Sequence, residues 1–539
     1  MTAHRLLAAA LVASALVPSA GSLAAQAARD PATLTIAYPR DPSSPVPTLW
    51  RGDASNREVS DLMFLRLADL GPELTTVGDK GFLPRLARRW ERRDPVTLVF
   101  ELDPRARWQD GRPVVAADVV FALERGRNAK LSPQTATALQ RIRSVAADGP
   151  RRVVVTFTEA YAEQFFDATY HAPPLPAHLL ASIPPESLAT SSFVTNPVGN
   201  GPYRFVRRVP DQVVELAADS TFFLGRPKVK RVLFLVANDA EARVNLLLSG
   251  TADASDNVYS FNNPARIEQL PRLQRYPVPG LNLVFVGINH RDPADTSRPH
   301  PILGDPVVRR ALVLAADRQL IARSVYGPFA TSPAAPLSPI LGRSLDAPPS
   351  PPWDTATAVR LLASRGWIDH DGDGIRDKDG RPLRLSLLVP ANVASRLTMA
   401  TRLQEAYRGL GIAITVDQID RAIFSERRLA GKFDLEFDGL LQDPAPGSSL
   451  SQSWSCMGIG GSNVFHYCNP AVDSLIARAT VTLSGGRDLW REALRRIADD
   501  YPAIFMAALV NTFAVDRRFQ RVQLPPASPW SAVWEWEVK

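Results

Sequence analysis

Cysteine is almost missing from this chain, with two in 539 residues, and that excludes a fold held by a dense disulfide framework. Long hydrophobic runs are missing too. Beyond the N-terminus no uninterrupted apolar stretch reaches the roughly 18 residues of a spanning helix, so none is encoded. Neither sign of charge dominates: 62 lysines and arginines stand against 55 aspartates and glutamates, dispersed among one another. Without a basic stripe there is no footprint for phosphate, and nucleic acid is excluded as a partner. Signatures of catalysis are absent as well. There is no Gly-x-Ser-x-Gly elbow, no His-Glu-x-x-His helix and no Walker loop. Gly199 and Gly201, followed by Pro202, lack the third glycine of a dinucleotide loop. The histidines at 171, 178, 290, 300, 370 and 466 fall at no metal-ligand spacing. Carboxylate pairs of the glycosidase kind come together only in three dimensions, which keeps an enzyme open as the alternative.

What the chain does have is a globular composition, 45% hydrophobic with 22% charged, and a length that corresponds to roughly three lobes. Its first 27 residues follow the plan of a secretory signal: His4 and Arg5, an apolar run from Leu6 to Val17, then small residues ending in Ala25-Gln26-Ala27. Export is expected, with the mature chain periplasmic; no cysteine follows the run, so no lipid anchor is expected. An oxidising compartment favours a disulfide between Cys456 and Cys468. Closing so short a loop is worth about 3 kcal/mol in the chain-entropy model. Two free thiols are the other reading. A metal site is disfavoured because His466 supplies the only further soft ligand nearby.

Period-two alternation marks strands at Val96–Leu102, Val153–Phe157, Leu383–Val389 and Ile412–Val416. Between them lie helices with legible starts. Asp305-Pro306 and Asn469-Pro470 each place a capping side chain before a proline at the first helical position, and Asp354 opens another helix that Gly366 stops. Strand, helix and strand over 383–416 predict a parallel crossover. The Pro-rich stretch from Asp346 to Pro352 suits neither helix nor central strand and is expected to wrap the surface. The fold class is mixed α/β in several lobes.

Six blocks in order carry a family resemblance. They are Trp108-Gln109-Asp110-Gly111-Arg112-Pro113 running on to Phe121, Asn196-Pro197-Val198-Gly199-Asn200-Gly201-Pro202-Tyr203, and Leu247-Leu248-Ser249-Gly250-Thr251-Ala252-Asp253. Then come Val308 to Arg318, Leu361 to Trp367, and Tyr467-Cys468-Asn469-Pro470-Ala471-Val472-Asp473. Together they resemble the extracytoplasmic solute-binding proteins of family 5, receptors of peptide and nickel ABC importers. The resemblance implies a bilobal periplasmic-binding-protein-like fold with a small extra lobe and a hinge. Its expected lobes are 28–78 with 195–285 and 505–539 (lobe I), 79–194 (accessory lobe) and 286–504 (lobe II). It also implies a peptide or peptide-like solute captured on closure, an inner-membrane permease as partner, a monomer, no cofactor and no catalytic residue. A hydrolase on a similar scaffold and a receptor that reports to a sensor are the alternatives. Where the family usually has a capping Ser or Thr this chain has Val115, leaving a helix cap to Asp118 or water.

Candidate ligand contacts follow from the same resemblance. In peptide-binding relatives an Asp three residues before an Asp-Pro pair holds the free α-amine; here that place is Leu440, with Asp443-Pro444 following. An ammonium facing Leu440 lacks a counter-ion, so a free-amine dipeptide is not the expected ligand. Asp438 shares Leu440's strand face, and reads equally as a ligand contact or a structural ion pair. Tyr38, Asp256, Asn257, Tyr259, Trp454 and Asn463 complete the set; Trp454 reads equally as core, and Asn463 as a turn residue. Asp369, Asp371 and Asp373 match the start of a calcium loop, but position twelve is Gly380 rather than the bidentate Glu. A hydrogen-bonded Asp-Gly hairpin is the competing reading.

Overall fold

Every residue of the first strand, β1 (Thr33–Tyr38), is buried, the signature of a strand covered on both faces. The computed structural model describes residues 30–50, 54–256, 263–342, 345–391 and 393–539. The expected signal segment 1–27, Asn257 and Tyr259 lie outside the described residues. Helix α1 (Ala54–Met63) follows β1. The chain then builds a separate antiparallel sheet from β2 (Ala87–Asp94), β3 (Thr97–Leu102), β4 (Ile142–Asp148) and β5 (Arg152–Phe157), in spatial order β2-β3-β5-β4. Its alternation is as expected: Leu98, Phe100, Leu102, Val153, Val155 and Phe157 are fully buried. Helix α2 (Ala116–Gly126) starts at Val115, which has no capping side chain. Asp118 serves instead. Its carboxylate accepts from the Val115 N–H at 2.9 Å, the Trp108 indole at 2.9 Å and the Ala177 N–H at 3.0 Å.

After helix α3 (Gln164–Tyr170) the chain returns to the large sheet through β6 (Tyr203–Val209), β7 (Val213–Ala218), β8 (Arg231–Val236), the two-residue β9 (Ala254–Ser255) and the long β10 (Leu273–Ile288). Next come helices α4 (Pro306–Ala315) and α5 (Thr355–Ser364), β11 (Arg384–Pro390), α6 (Ala394–Arg408), β12 (Ala413–Ile419), α7 (Arg421–Leu429) and β13 (Leu435–Leu441). Helices α8 (Pro446–Ser453), α9 (Pro470–Val481) and α10 (Arg487–Asp500) precede β14 (Ala503–Asp516). Asp305, Asp354 and Asn469 cap α4, α5 and α9 as their sequence predicts. Strands β11 and β12 pair in parallel across α6, the expected crossover.

The large sheet runs β12-β11-β13-β10-β14-β9-β1-β8-β7-β6, with a two-residue strand at Ala330–Thr331 on β14. Two strands, β10 and β14, hold it together in the middle. Their outer halves pack on different cores: Val278, Phe513 and Val515 join the core of β1 and the small sheet, whereas Val284, Val286, Ile288, Ile504 and Met506 join the core of α4, β11 and α6. A third core gathers Leu283, Phe285, Trp454, Phe465 and Leu494 beside the second. The register between β10 and β14 breaks between Pro279 and Leu283. There a Cβ on Gly280 would meet the Leu509 carbonyl oxygen at 2.6 Å, so only glycine permits this approach. The lobe boundaries expected at 285/286 and 504/505 fall inside these two strands. Cys456 and Cys468 form the disulfide, with Cα atoms 4.4 Å apart.

Candidate functional site

Where the two halves face each other they enclose a cavity of about 550 Å³. One wall comes from the first half: Trp50, Arg57 on α1, Ser132, Thr135 and Ala138, and Tyr170 and His171 at the end of α3. The other wall comes from the second half: Arg421 and Arg428 on α7, β13 with the turn after it from Asp438 to Asp443, Ser449, Gln452 and Ser453 on α8, and Phe285 and Phe465. The strand period explains why β13 contributes. Residues 435 to 438 are buried in the sheet, and the strand emerges from Gly439 to Leu441, so its C-terminal end meets the cleft. Open sheets bind ligands at such strand ends.

The electrostatics of this wall are dominated by arginine. Arg428 Nε lies 3.1 Å from Glu436, and Asp438 stands 3.4 Å from Arg421 and 3.8 Å from Arg428. Burial pushes the Glu436 carboxyl up, Arg428 pulls it down and Asp438 pushes it up again, leaving it at about 7. Across the cavity Arg57 donates to the Tyr170 hydroxyl at 3.0 Å and to the Ala527 carbonyl at 2.9 Å. Arg66 lies 4.9 Å over the Tyr170 ring and pairs with Asp61 at 2.8 Å. A second contact between halves lies beside the cavity. Glu163, next to α3, faces the N-terminus of α8, with its Oε1 3.4 Å from the Gly447 N–H, and a void of about 100 Å³ opens alongside. The Ala162 N–H meets the Thr480 carbonyl at 3.4 Å.

Of the expected contacts, Asp438, Leu440 and Asp443 line the cavity. Asp438 does so as part of an ion-pair cluster rather than as an unengaged carboxylate. Trp454 is fully buried and stacks among Phe285, Phe465 and Phe505, so it backs the wall from the core instead of facing a ligand. Asn463 is a loop tie: its amide donates to the Ser455 and Tyr467 carbonyls and accepts from the Tyr467 N–H. Its neighbour Ser462 reaches the cavity instead. Tyr38 lies away from the cavity wall and donates to Glu58 at 2.6 Å. Asp256 is buried and adds to the field that, after burial itself, lifts the Glu58 carboxyl to about 8. Trp50, Arg57, Tyr170, His171, Arg421 and Arg428 are the residues that sequence reasoning missed. Nothing in the local sequence of any of them marks a cleft, and only the folding of distant segments against one another assigns them to it.

The carboxylates of Asp369, Asp371 and Asp373 gather within 4.8 Å of one another on the surface. They are already engaged by their own loop, accepting from the backbone N–H groups of Gly372, Gly374, Asp373 and Ile375. The loop leads into a short antiparallel pairing of Asp377–Lys378 with Arg381–Pro382. That is the arrangement of a hydrogen-bonded Asp-Gly hairpin.

The cavity is thus walled by side chains from both halves, with arginines on each side. The family model of the bacterial extracellular solute-binding proteins, family 5, middle region, matches residues 81–461, and the chain belongs to that family. It is therefore a solute-binding protein and not an enzyme. The oligopeptide-binding protein AppA of Bacillus subtilis is 26% identical over 448 residues, covering 80% of this chain and 78% of the relative. A putative ABC transporter peptide-binding protein of Brucella ovis is 28% identical over 400 residues, covering 72% of this chain and 70% of the relative. The fold matches solved structures of B. subtilis AppA in complex with a nonapeptide (TM-score 0.79, 22% identity) and of NikZ from Campylobacter jejuni with Ni(L-His) (TM-score 0.78, 23% identity). Each comparison covers 94% of this chain and 99% of the other. Among the described residues no helix is long and apolar enough to cross a membrane.

Proposed function

We propose that this chain is a periplasmic receptor that captures a peptide or peptide-like solute between its two halves and presents it, as a monomer, to the inner-membrane permease of an ABC importer. The observation that carries the reading is the cavity of about 550 Å³ walled by both halves, within the range of pockets that enclose a small organic ligand. Relatives described as peptide-binding support the solute class, and residues 1–27 support export. Lobe I comprises 28–78, 195–285 and 505–539, the accessory lobe 79–194, and lobe II 286–504. The bend between lobes I and II lies near Gly280, where the register of the connecting strands breaks.

Binding by enclosure needs no bond-making residue. It needs a solute that stabilises the shut form over the open one. Cavity volume limits the guest to a short peptide or a compact analogue. The test is mass spectrometry of the solute released when the purified protein is denatured, followed by calorimetry with that solute or with a pool of short peptides. The expected result is one intact guest per chain. Steady conversion of the guest to product, or one-to-one binding of a sugar with no response to peptides, would overturn it.

A further inference from the structure

Charge along the cavity wall does not balance. Three guanidinium groups face it, on Arg57, Arg421 and Arg428, against the carboxylates of Asp438 and Asp443. Asp438 is shared between Arg421 and Arg428, and Arg428 leans more closely on buried Glu436. That leaves Arg421 half exposed to the cleft with a single shared partner. Asp443 is engaged as well, its Oδ2 accepting from the Ser448 hydroxyl at 3.0 Å.

Arg57 is the more telling group. Its terminal nitrogens donate to neutral acceptors, the Tyr170 hydroxyl and the Ala527 carbonyl, and its Nε–H has no acceptor among the described residues. The neighbouring Asp61 is taken by Arg66. Burial, and then the charge of Asp256, lift the carboxyl of Glu58, one position along α1, to about 8, which weakens it as a counter-ion. Burial alone pulls the Arg57 guanidinium down, but Tyr170, Asp61, Asp443 and Glu58 outweigh that, so it keeps its proton. A cation with no contact counter-ion among the described residues is thus held at the cavity. Closing the halves brings it into one small, water-poor space with Arg421 and Arg428. Like charges repel strongly in such a medium, and an anion placed between them reverses the sign of the interaction. An ammonium finds no such welcome: Leu440 is apolar, and both cavity carboxylates already have partners.

We propose that the cavity selects solutes that bear a carboxylate and need no free α-amine, with Arg57 and Arg421 as the specificity-determining cations on its opposing walls. This rests on the peptide-like reading above. The planar guanidinium fork suits a carboxylate bidentately, and because the two arginines come from different halves, an anionic guest draws the halves together.

The experiment uses a partial casein hydrolysate in three portions: untreated, methyl-esterified at its carboxyl groups, and acetylated at its amines. Each is passed over the immobilised mature chain and the retained peptides are measured by mass spectrometry. Acetylated peptides are expected to be retained within about threefold of untreated ones, and esterified peptides about tenfold less, the scale of one lost charge-assisted hydrogen-bonded pair. Arg57→Gln is expected to shrink that tenfold ratio toward one while Arg57→Lys keeps part of it. Arg421→Gln, on the exposed face of α7, repeats the test where folding is not at stake. Equal retention of esterified and untreated peptides overturns the proposal, and so does loss of retention on acetylation. Retention of no portion at all overturns the peptide-like reading itself, and this proposal with it.

Discussion

Glu163 shows how one side chain can tie the two halves to the pH. It stands at the junction of the halves, accepting weakly from the Gly447 N–H and from the Thr76 hydroxyl at 3.5 Å. Burial pushes its carboxyl up, and the charge of Asp167 adds to that, against the pull of the Gly447 N–H, Arg141 and Thr76; the result is about 8 against an ordinary 4.5. Tyr161 donates to Asp167 at 2.7 Å, and His171 lies 3.4 Å from Asp167 on the far side. The sign follows directly. The assembled structure binds a proton that the unfolded chain has already released, so its stability is greatest below about 4.5, declines as the pH rises to about 8, and levels off above. Glu58 acts with the same sign over the same window. Thermal melts should therefore show Tm falling from pH 5 to pH 8.5. In Glu163→Gln the fall should be smaller, with the variant melting about 2 °C or more above the parent at pH 8.5. Equal slopes in parent and variant would show that Glu163 is solvated in the folded protein as it is in the unfolded chain.

At the scale of an element, helix α8 joins the cavity to that junction. Ser449, Gln452 and Ser453 of its body line the cavity, while its first turn presents Gly447 to Glu163. A Cβ at Gly447 would collide with the Glu163 carboxylate, so a larger residue here fits the shut arrangement only if the Glu163 side chain moves aside. Alanine in a helix interior is worth up to about 1 kcal/mol over glycine. Gly447→Ala should consequently leave the solute-free protein as stable as the parent or slightly more so, while lowering peptide retention several-fold. Reduced retention without a lower Tm separates a block to closure from simple misfolding; unchanged retention would show that Glu163 yields without cost. Elements of this kind differ in how far the sequence reveals them. Helices α4 and α9 were legible because their starts are local chemistry, a capping Asp305 or Asn469 followed by proline. Strands β3 and β5 were legible by their period. The reach of β10 was not, since Pro277, Pro279 and Gly280 interrupt its pattern and only pairing with β14 makes it continuous. The site divides in the same way. Asp438, Leu440 and Asp443 were found because the resemblance marks the place three residues before Asp443-Pro444, and Asp438 shares that strand face. Arg57 and Arg421 were not, since nothing local distinguishes an arginine that meets a distant half from one that meets water. Trp454 and Asn463 carry the same sequence signal whether they face a core or a cleft.

At the scale of the whole molecule, what matters is how narrow the joint is. The cores on either side of Gly280 are separate apolar bodies, and of the strands in the large sheet it is β10 and β14 that run from one to the other. Proline offers no N–H to a ladder, so Pro277 and Pro279 thin the hydrogen bonding just where the register breaks. Bending there disturbs few backbone bonds and leaves both cores packed, whereas bending anywhere else would open one of them. The resistance to opening must then come from the contacts across the cleft, polar ones such as Glu163 with Gly447 and Ala162 with Thr480, and apolar ones such as Leu74 in the third core and Ala445 in the first. With three cations facing two carboxylates in the cavity, an empty cleft has an electrostatic reason to open, and an acidic guest has one to shut it. Small-angle scattering of the purified protein should therefore give a larger radius of gyration without peptide than with the retained casein peptides, and raising the salt concentration should narrow that difference by screening the arginines. A single radius under all these conditions would mean that the two strands form a rigid beam and that the cavity fills without the halves moving.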